Sequence, residues 1–284
     1  MKPLTRKIGL LATCWVALLL LPTSIWAAEP SDEQPWEKFS IQAGYFLAAV
    51  DSGVRLGTGI GIDIDVEDLL GLDSTNSVFR IGTLWRFTDN RRHRIDFSWF
   101  SLNRDGNRTI DQDITFENEN GEQVTIDAGS EVSAFFDLDI YQLTYSYSFL
   151  QDDRVDLAGS LGFYIMPINV GLTVSGVVDE RGDANFTAPL PVLGLRMDVL
   201  LAPRWFFRSG AQLFYVEYEN FTGSVIEVNA AVEYTPWNHV GIGMGVDTLN
   251  VTVEAEDEDW PGVDFSGQVD FKYVGLQLYL KYFF

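Results

Sequence analysis

Residues 139–149 read Asp-Ile-Tyr-Gln-Leu-Thr-Tyr-Ser-Tyr-Ser-Phe. In an extended strand successive side chains point to opposite faces. Tyr141, Leu143, Tyr145, Tyr147 and Phe149 therefore share one face, and Gln142, Thr144, Ser146 and Ser148 share the other. A soluble sandwich also alternates, but its apolar face is rarely so aromatic. Here the larger, greasier face belongs on the outside and the small polar face on the inside, as in a wall between lipid and a polar interior.

The same period of two recurs on both sides of this stretch. Further strands are expected at 38–51, 76–88, 93–103, 154–167, 190–202, 204–218, 224–235, 239–250 and 268–284, with 135–150 enclosing the starting segment. Each is close to the roughly 9–11 residues a tilted strand needs to cross a bilayer. The connections alternate in length. Short ones centre on Asp89-Asn90, Asp152-Asp153, Pro203 and Pro236-Trp237; longer ones occupy 52–75, 104–134, 168–189, a brief 219–223, and 251–267. This asymmetry is that of short periplasmic turns against external loops. The fold class read from it is all-β, a transmembrane antiparallel up-and-down β-barrel of about 10 strands over residues 29–284, with 8 or 12 strands as alternatives.

Composition agrees. The 284 residues are 46% hydrophobic and 14% aromatic yet carry a formal charge of −22, so apolar and charged residues must be segregated. Only the N-terminus has an apolar run near the length of a membrane helix. Lys2, Arg6 and Lys7 precede apolar Ile8–Leu21, then Pro22 and a short stretch ending in Ala27-Ala28. Residues 1–28 read as a secretory signal peptide cut after Ala27 or Ala28. The single cysteine, Cys14, lies inside that run, so the mature chain is expected to have no disulfide and no cysteine-based metal or redox site.

Acid concentrates in the long connections, with Asp63, Asp65, Glu67, Asp68 and Asp73 in the first and Glu254 and Glu256–Asp259 in the last. The second contains Asn120-Gly121 between Ile114-Thr115-Phe116 and Val124-Thr125-Ile126, the pattern of a tight hairpin. The short turns hold Arg91, Arg92, Arg94, Arg154 and Arg204 instead. Carboxylates so clustered are suitable oxygen ligands for divalent cations, but no segment has the spacing of a calcium loop. No resident metal or cofactor is expected. The acidity opposes nucleic-acid binding. Asn107, Asn185, Asn220 and Asn250 begin Asn-x-Thr triplets in or beside the external connections, ordinary loop chemistry in a bacterial barrel.

The last strand, Gln277-Leu278-Tyr279-Leu280-Lys281-Tyr282-Phe283-Phe284, resembles the terminal strand of bacterial outer-membrane proteins. In that class the final residue is aromatic, usually Phe, with another aromatic two before it. Phe284 and Tyr282 match, as does polar Gln277; the glycine usual five before the end is Tyr279 here. The resemblance implies that Gln277, Tyr282 and Phe284 are read by the barrel assembly machinery of a Gram-negative bacterium, and that outer-membrane lipids and lipopolysaccharide surround the product.

Lumen chemistry follows from the faces. About a tight turn at Pro203, Asp198 lies opposite Arg208; across the turn near Asn90, Arg86 lies opposite or diagonal to Asp96. These are expected to be lumen ion pairs. About a turn at Trp237, Glu227 and Asp247 face each other near the external rim, where two carboxylates would share a proton or a cation. His93 and His239 fall in the short turns. Proteases of the omptin type resemble this chain in architecture, but their chemistry needs a histidine and carboxylates at the external rim. Outer-membrane lipases need a histidine beside a serine near the lipid surface. The expected function is a non-enzymatic barrel, structural or surface-binding, with a largely filled lumen. A narrow cation-selective channel is the alternative, favoured by inward Gly241, Gly243, Gly245, Ala158, Ser160 and Gly162 and opposed by Arg80, Arg86, Arg208, Phe206 and Phe214. A surface hydrolase is the third reading.

Overall fold

The computed structural model describes residues 35–56, 63–65, 75–109, 111, 113–117, 123–174, 182–218, 221–255 and 267–284. The expected signal segment 1–28 and the most acidic stretches of the first and last long connections lie largely outside the described residues.

Ten antiparallel strands form the wall: β1 (Phe39–Leu56), β3 (Thr75–Arg86), β4 (His93–Thr109), β7 (Glu131–Gln151), β8 (Val155–Val174), β9 (Gly182–Ala202), β10 (Trp205–Tyr218), β11 (Phe221–Trp237), β12 (Val240–Ala255) and β13 (Gly267–Phe283). Neighbours in the wall follow one another along the chain, and β13 closes on β1 from Ser40↔Phe283 to Leu56↔Gly267. No strand is left as an open edge along the membrane, which is what lipid demands of backbone polar groups. β2 (Asp63–Asp65) pairs with the upper end of β1. The strand pairing expected on either side of Asn120-Gly121 is present as β5 (Ile114–Glu117) against β6 (Gln123–Ile126), with Ile114↔Ile126 and Phe116↔Val124; the turn itself lies outside the described residues.

One end of the barrel, the turn end, carries four compact connections. Asp152 caps one by accepting from the Arg154 and Val155 amides at 2.8 and 2.7 Å. Arg91, Arg204 and His239 take φ of 53°, 71° and 71°, a left-handed conformation that the tight reversals require and that costs a non-glycine residue energy. The turn placed at Pro236-Trp237 lies instead at Asn238-His239, because the register slips between Tyr234 and Trp237 at proline, which has no amide to donate. At the other, loop end, Tyr218 pairs with Phe221, so the connection read as 219–223 is shorter than expected.

Along almost every strand the two faces exchange character at one level. On β7 the outward Tyr147, Leu143 and Tyr141 give way to Asp139 and Asp137, while the inward Ser148, Ser146, Thr144 and Gln142 give way to Ile140, Leu138 and Phe136. β4 changes from outward Phe97 and Trp99 to Ser101 and Asn103, and from inward Asp96 and Ser98 to Phe100 and Leu102. β13 changes from outward Leu276 and Val274 to Lys272, and inward from Lys281 to Tyr273 and Phe271. The half next to the turns is thus apolar outside and polar inside. The half next to the loops is polar outside and apolar inside, like a soluble sandwich.

The exposed belt of the turn half includes Ile41, Leu47, Leu143, Leu161, Phe163, Leu193, Leu195, Met244, Leu276, Leu278 and Leu280. A contiguous apolar surface of this extent does not persist in water, so the belt is where the barrel meets hydrocarbon. Aromatics edge it on both sides, with Trp85, Trp205, Trp237 and Tyr282 near the turns and Tyr45, Phe79, Tyr141 and Tyr215 at the level of exchange. The arrangement is that of interfacial girdles.

Candidate functional site

The lumen is occupied in layers, and the lowest is ionic. Asp198 on β9 accepts from Arg196 at 2.5 Å, Arg94 at 3.0 Å, and Arg86 and Arg208 at 3.3 Å each. Asp156 on β8, fully buried, takes Arg86 at 3.1 Å and Arg196 at 3.2 Å. On the other side Lys281 reaches Glu37 at 2.7 Å and Glu233 at 2.9 Å, and Arg208 joins Glu37 at 3.0 Å. Arg94 clamps Asp96 at 2.8 Å through Nε. Arg86, Arg94, Arg196, Arg208 and Lys281 therefore face Glu37, Asp96, Asp156, Asp198 and Glu233, five charges against five. Matched numbers matter because an unpaired charge in such a place is costly. Glu37 precedes the first strand. Burial alone would raise its carboxyl, but Arg208, Lys281 and Arg86 outweigh that and hold it well below the usual carboxylate range.

Above this layer lies a polar chamber of about 180 Å³ lined by Gln42, Arg80, Ser98, Thr144, Ser146, Ser160, Arg196, Gln212 and Asn229, among others. A belt of cross-lumen bonds roofs it. Arg80 on β3 spans to Asp247 on β12 at 2.5 Å, and Tyr273 on β13 also donates to Asp247, at 3.4 Å. Tyr164 on β8 donates to Glu227 on β11, which also accepts from Gln142 on β7 at 3.3 Å.

Over the belt the lumen is an apolar plug. Phe46, Val78, Phe100, Leu102, Phe136, Leu138, Ile140, Met166, Val192, Leu249, Val251 and Phe271 form one buried cluster, with Phe136 and Phe271 stacked 6.1 Å apart across the barrel. Of the glycines read as space for a pore, Gly243 makes room for a ring instead, since a Cβ there would lie 2.0 Å from the Tyr279 ring. Gly275, which was not among them, likewise admits Phe46, 2.2 Å from where its Cβ would be. Phe206, which was expected to project inward, is buried in the turn half.

Among the residues singled out from sequence, Asp198 and Arg208 do sit opposite one another and bond. Arg86 and Asp96 are both inward and diagonal to one another, one of the two expected placements, but Asp96 is taken by Arg94, which lies opposite Arg86, and Arg86 turns to Asp156 and Asp198. Glu227 and Asp247 are not at the rim. The slip at Pro236 puts Glu227 opposite Leu249 and Asp247 opposite Asn229, and both are sealed beneath the apolar plug. Sequence reading passed over Glu37, Arg94, Asp156, Arg196, Glu233 and Lys281. Apart from Glu37, each could have been found by continuing the inward alternation to the strand end.

His93 and His239 lie at the turn end, where His93 contacts the Tyr145 hydroxyl at 2.7 Å and His239 the Phe283 carbonyl at 2.8 Å. Among the described residues no set of three or more His, Cys, Asp or Glu side chains is placed to hold a metal ion. Of the terminal residues, Tyr282 and Phe284 face outward and pack edge to face at 5.0 Å, while Gln277 faces the lumen beside Gly245.

No protein-family model and no curated protein matches the sequence. Solved structures do. The outer membrane protease OmpT from Escherichia coli aligns with a TM-score of 0.54 at 11% identity, covering 89% of this chain and 100% of that one. The outer membrane protein OprG from Pseudomonas aeruginosa gives 0.35 at 10% identity over 89% and 100%. Ail, the attachment invasion locus protein of Yersinia pestis, gives 0.33 at 10% identity over 85% and 97%. At these identities the likeness is one of fold. Closed in ten strands with its apolar belt turned outward, the chain has the fold of the outer-membrane β-barrels.

Proposed function

We propose that the protein is a non-enzymatic barrel of the Gram-negative outer membrane that seals its own lumen and carries acidic external loops on a raised, apolar-cored extension. In this orientation the turns face the periplasm and the loops face outward. Residues 1–28 would direct export, and Phe284, Tyr282 and Gln277 would present the terminal strand to the assembly machinery. The working role is structural or surface-binding. Lipids and lipopolysaccharide would surround the belt, and divalent cations would be drawn to the loops by their summed field.

The observation that carries this reading is that the lumen is closed on both sides of its chamber, by an ionic layer below and an apolar plug above. An eight-stranded barrel is just wide enough for side chains to fill, whereas water-filled porins use roughly 16–18 strands; ten strands lie near the filled end. A catalytic role would want a histidine near the loops or the outer lipid surface, and both histidines are at the other end. The test is planar-bilayer recording on refolded protein. The expected result is no stable open state, with any residual current small and cation-favouring. Stable large or anion-selective steps would overturn the reading; small cation-selective steps that grow in Arg208→Ala would favour the narrow channel.

A further inference from the structure

We infer that Trp36 and Glu37 are a detachable stopper in the turn-end mouth, and that the chamber above them is a dead-end aqueous pocket reached from the periplasmic side when they leave. The inference rests on the filled-lumen reading above, in which nothing passes the belt and the plug.

Trp36 precedes the first strand, yet it is 0% exposed. Its indole donates to the Asp152 carbonyl at 2.8 Å, its ring meets Phe206 edge-on at 6.4 Å, and Arg91 donates to its carbonyl. Glu37 then turns up into the barrel and lies between Lys281, Arg208 and Arg86 at 2.7, 3.0 and 3.7 Å. Lys281 and Arg208 also line the chamber, so the Glu37 carboxylate braces its floor through them.

The rest of that floor differs in one mechanical respect. Asp156, Asp198, Arg196 and Glu233 project from wall strands and cannot withdraw without opening the sheet. Trp36 and Glu37 precede β1 and are not paired in its ladder, which Lys38 meets through an amide that donates to the Phe284 carbonyl at 2.8 Å. The bonds that hold the two run through side chains, among them Arg86, which donates to the Glu37 carbonyl at 3.0 Å. Among the described floor residues these two can leave while the barrel stays closed. Their cradle also depends on closure, because Arg86, Arg208 and Lys281 come from β3, β10 and β13. The stopper therefore seats last.

The chamber suits water. It is roomy and polar, and the buried Thr144 and Ser146 hydroxyls on its wall have no protein partner. Its roof is the Arg80–Asp247 and Tyr164–Glu227 belt, followed by the apolar cluster, with the buried Arg104 lying over the Phe136 ring. Solvent admitted from the turn end goes no further.

The experiment is thiol accessibility on the refolded barrel in a Cys14→Ser background. Ser146→Cys reports on the chamber and Leu138→Cys on the plug, with a small water-soluble thiol reagent and mass readout. With the stopper intact, Ser146→Cys labels slowly. Combined with Trp36→Ala and Glu37→Gln it labels about tenfold faster or more, as expected when a buried ion pair that holds a segment down is broken. Glu37→Gln alone gives a smaller rise and keeps the test decisive if the combined variant assembles poorly. Equal rates with and without the stopper substitutions would overturn the inference, as would no labelling in either when the unfolded protein labels fully. Labelling of Leu138→Cys, or conductance steps in the stopper variants, would overturn the filled-lumen reading while leaving the stopper in place.

Discussion

The two halves of this barrel are built from the same strands and obey opposite rules. In the turn half an outward Leu or Tyr meets hydrocarbon and an inward Ser or Arg meets the ion network. In the loop half, ten residues further along the same strand, an outward Asp meets water and an inward Leu meets other apolar side chains. Between the two halves the alternation keeps its phase, its bulges lying near the turns, and only the solvent on each side changes. Each half therefore fails for a different reason, and the difference can be probed by making like substitutions in both.

The largest effect is expected at the ionic hub. Asp198→Ala leaves Arg86, Arg94, Arg196 and Arg208 without their shared acceptor. It should cost about 3–5 kcal/mol, the usual penalty for removing one partner of a buried pair, read by urea titration of the refolded barrel. A loss below about 1 kcal/mol would mean that water, not protein, neutralises this layer.

On the outer wall the comparison is between two added cations. Tyr145→Arg, in the belt, should cost about 2–4 kcal/mol as a charge within the bilayer. Asn103→Arg, on the outer face of the loop half, should stay within about 0.5 kcal/mol. Thr144→Ser, beside Tyr145 but facing the chamber, should likewise change little. Equal tolerance of the two arginines in the same titration would abolish the distinction between the halves.

Deleting Phe284 tests assembly rather than the finished fold. Its main-chain bonds tie the end of β13 to Lys38 and Phe39, so both the terminal strand and the stopper lose an anchor. Reduced heat-modifiable barrel in the envelope is expected; an undiminished yield would speak against an assembly role.

A smaller effect should follow pH. Because the Glu37 carboxyl is held below its ordinary 4.5, its ion pairs stabilise the folded state fully above that value and are lost as pH falls through the lower, folded-state one. Glu37→Gln should flatten the acid-side stability profile while leaving its slope above pH about 5 unchanged. An unaltered acid limb would show that Glu37 does not carry this charge linkage.

Much of this was legible in the sequence. All ten wall strands lie where alternation places them, and turn-end boundaries such as His93, Val155 and Ala202 agree to within a residue or two. Several loop-end boundaries do not: β9 begins at Gly182 instead of 190, and β8 runs to Val174 instead of 167, although β10 ends at Tyr218 as expected. A strand length set by bilayer thickness stops where lipid stops. These strands continue because Leu138, Met166, Leu190 and Val251 give them a second, interior apolar face to bury. The signal was present in the change from Thr144 and Gln142 to Ile140 and Leu138 on one face. The partners of Arg86 were harder to see. Register pairs nearest neighbours, whereas a guanidinium in a narrow lumen reaches across it, from β3 to Asp156 on β8 and Asp198 on β9.

The central claim is that each strand changes solvent at one level while keeping its phase, and β7 tests it residue by residue. Single cysteines from Ser133 to Phe149, in the Cys14→Ser background, can be probed for water-soluble reagent and for quenching by a lipid-confined probe. The account expects lipid contact at 141, 143, 145, 147 and 149, water contact at 133, 137 and 139, and neither at 136, 138 and 140. Lipid contact extending through Asp139 and Asp137, or free water at Leu138 and Ile140, would contradict it.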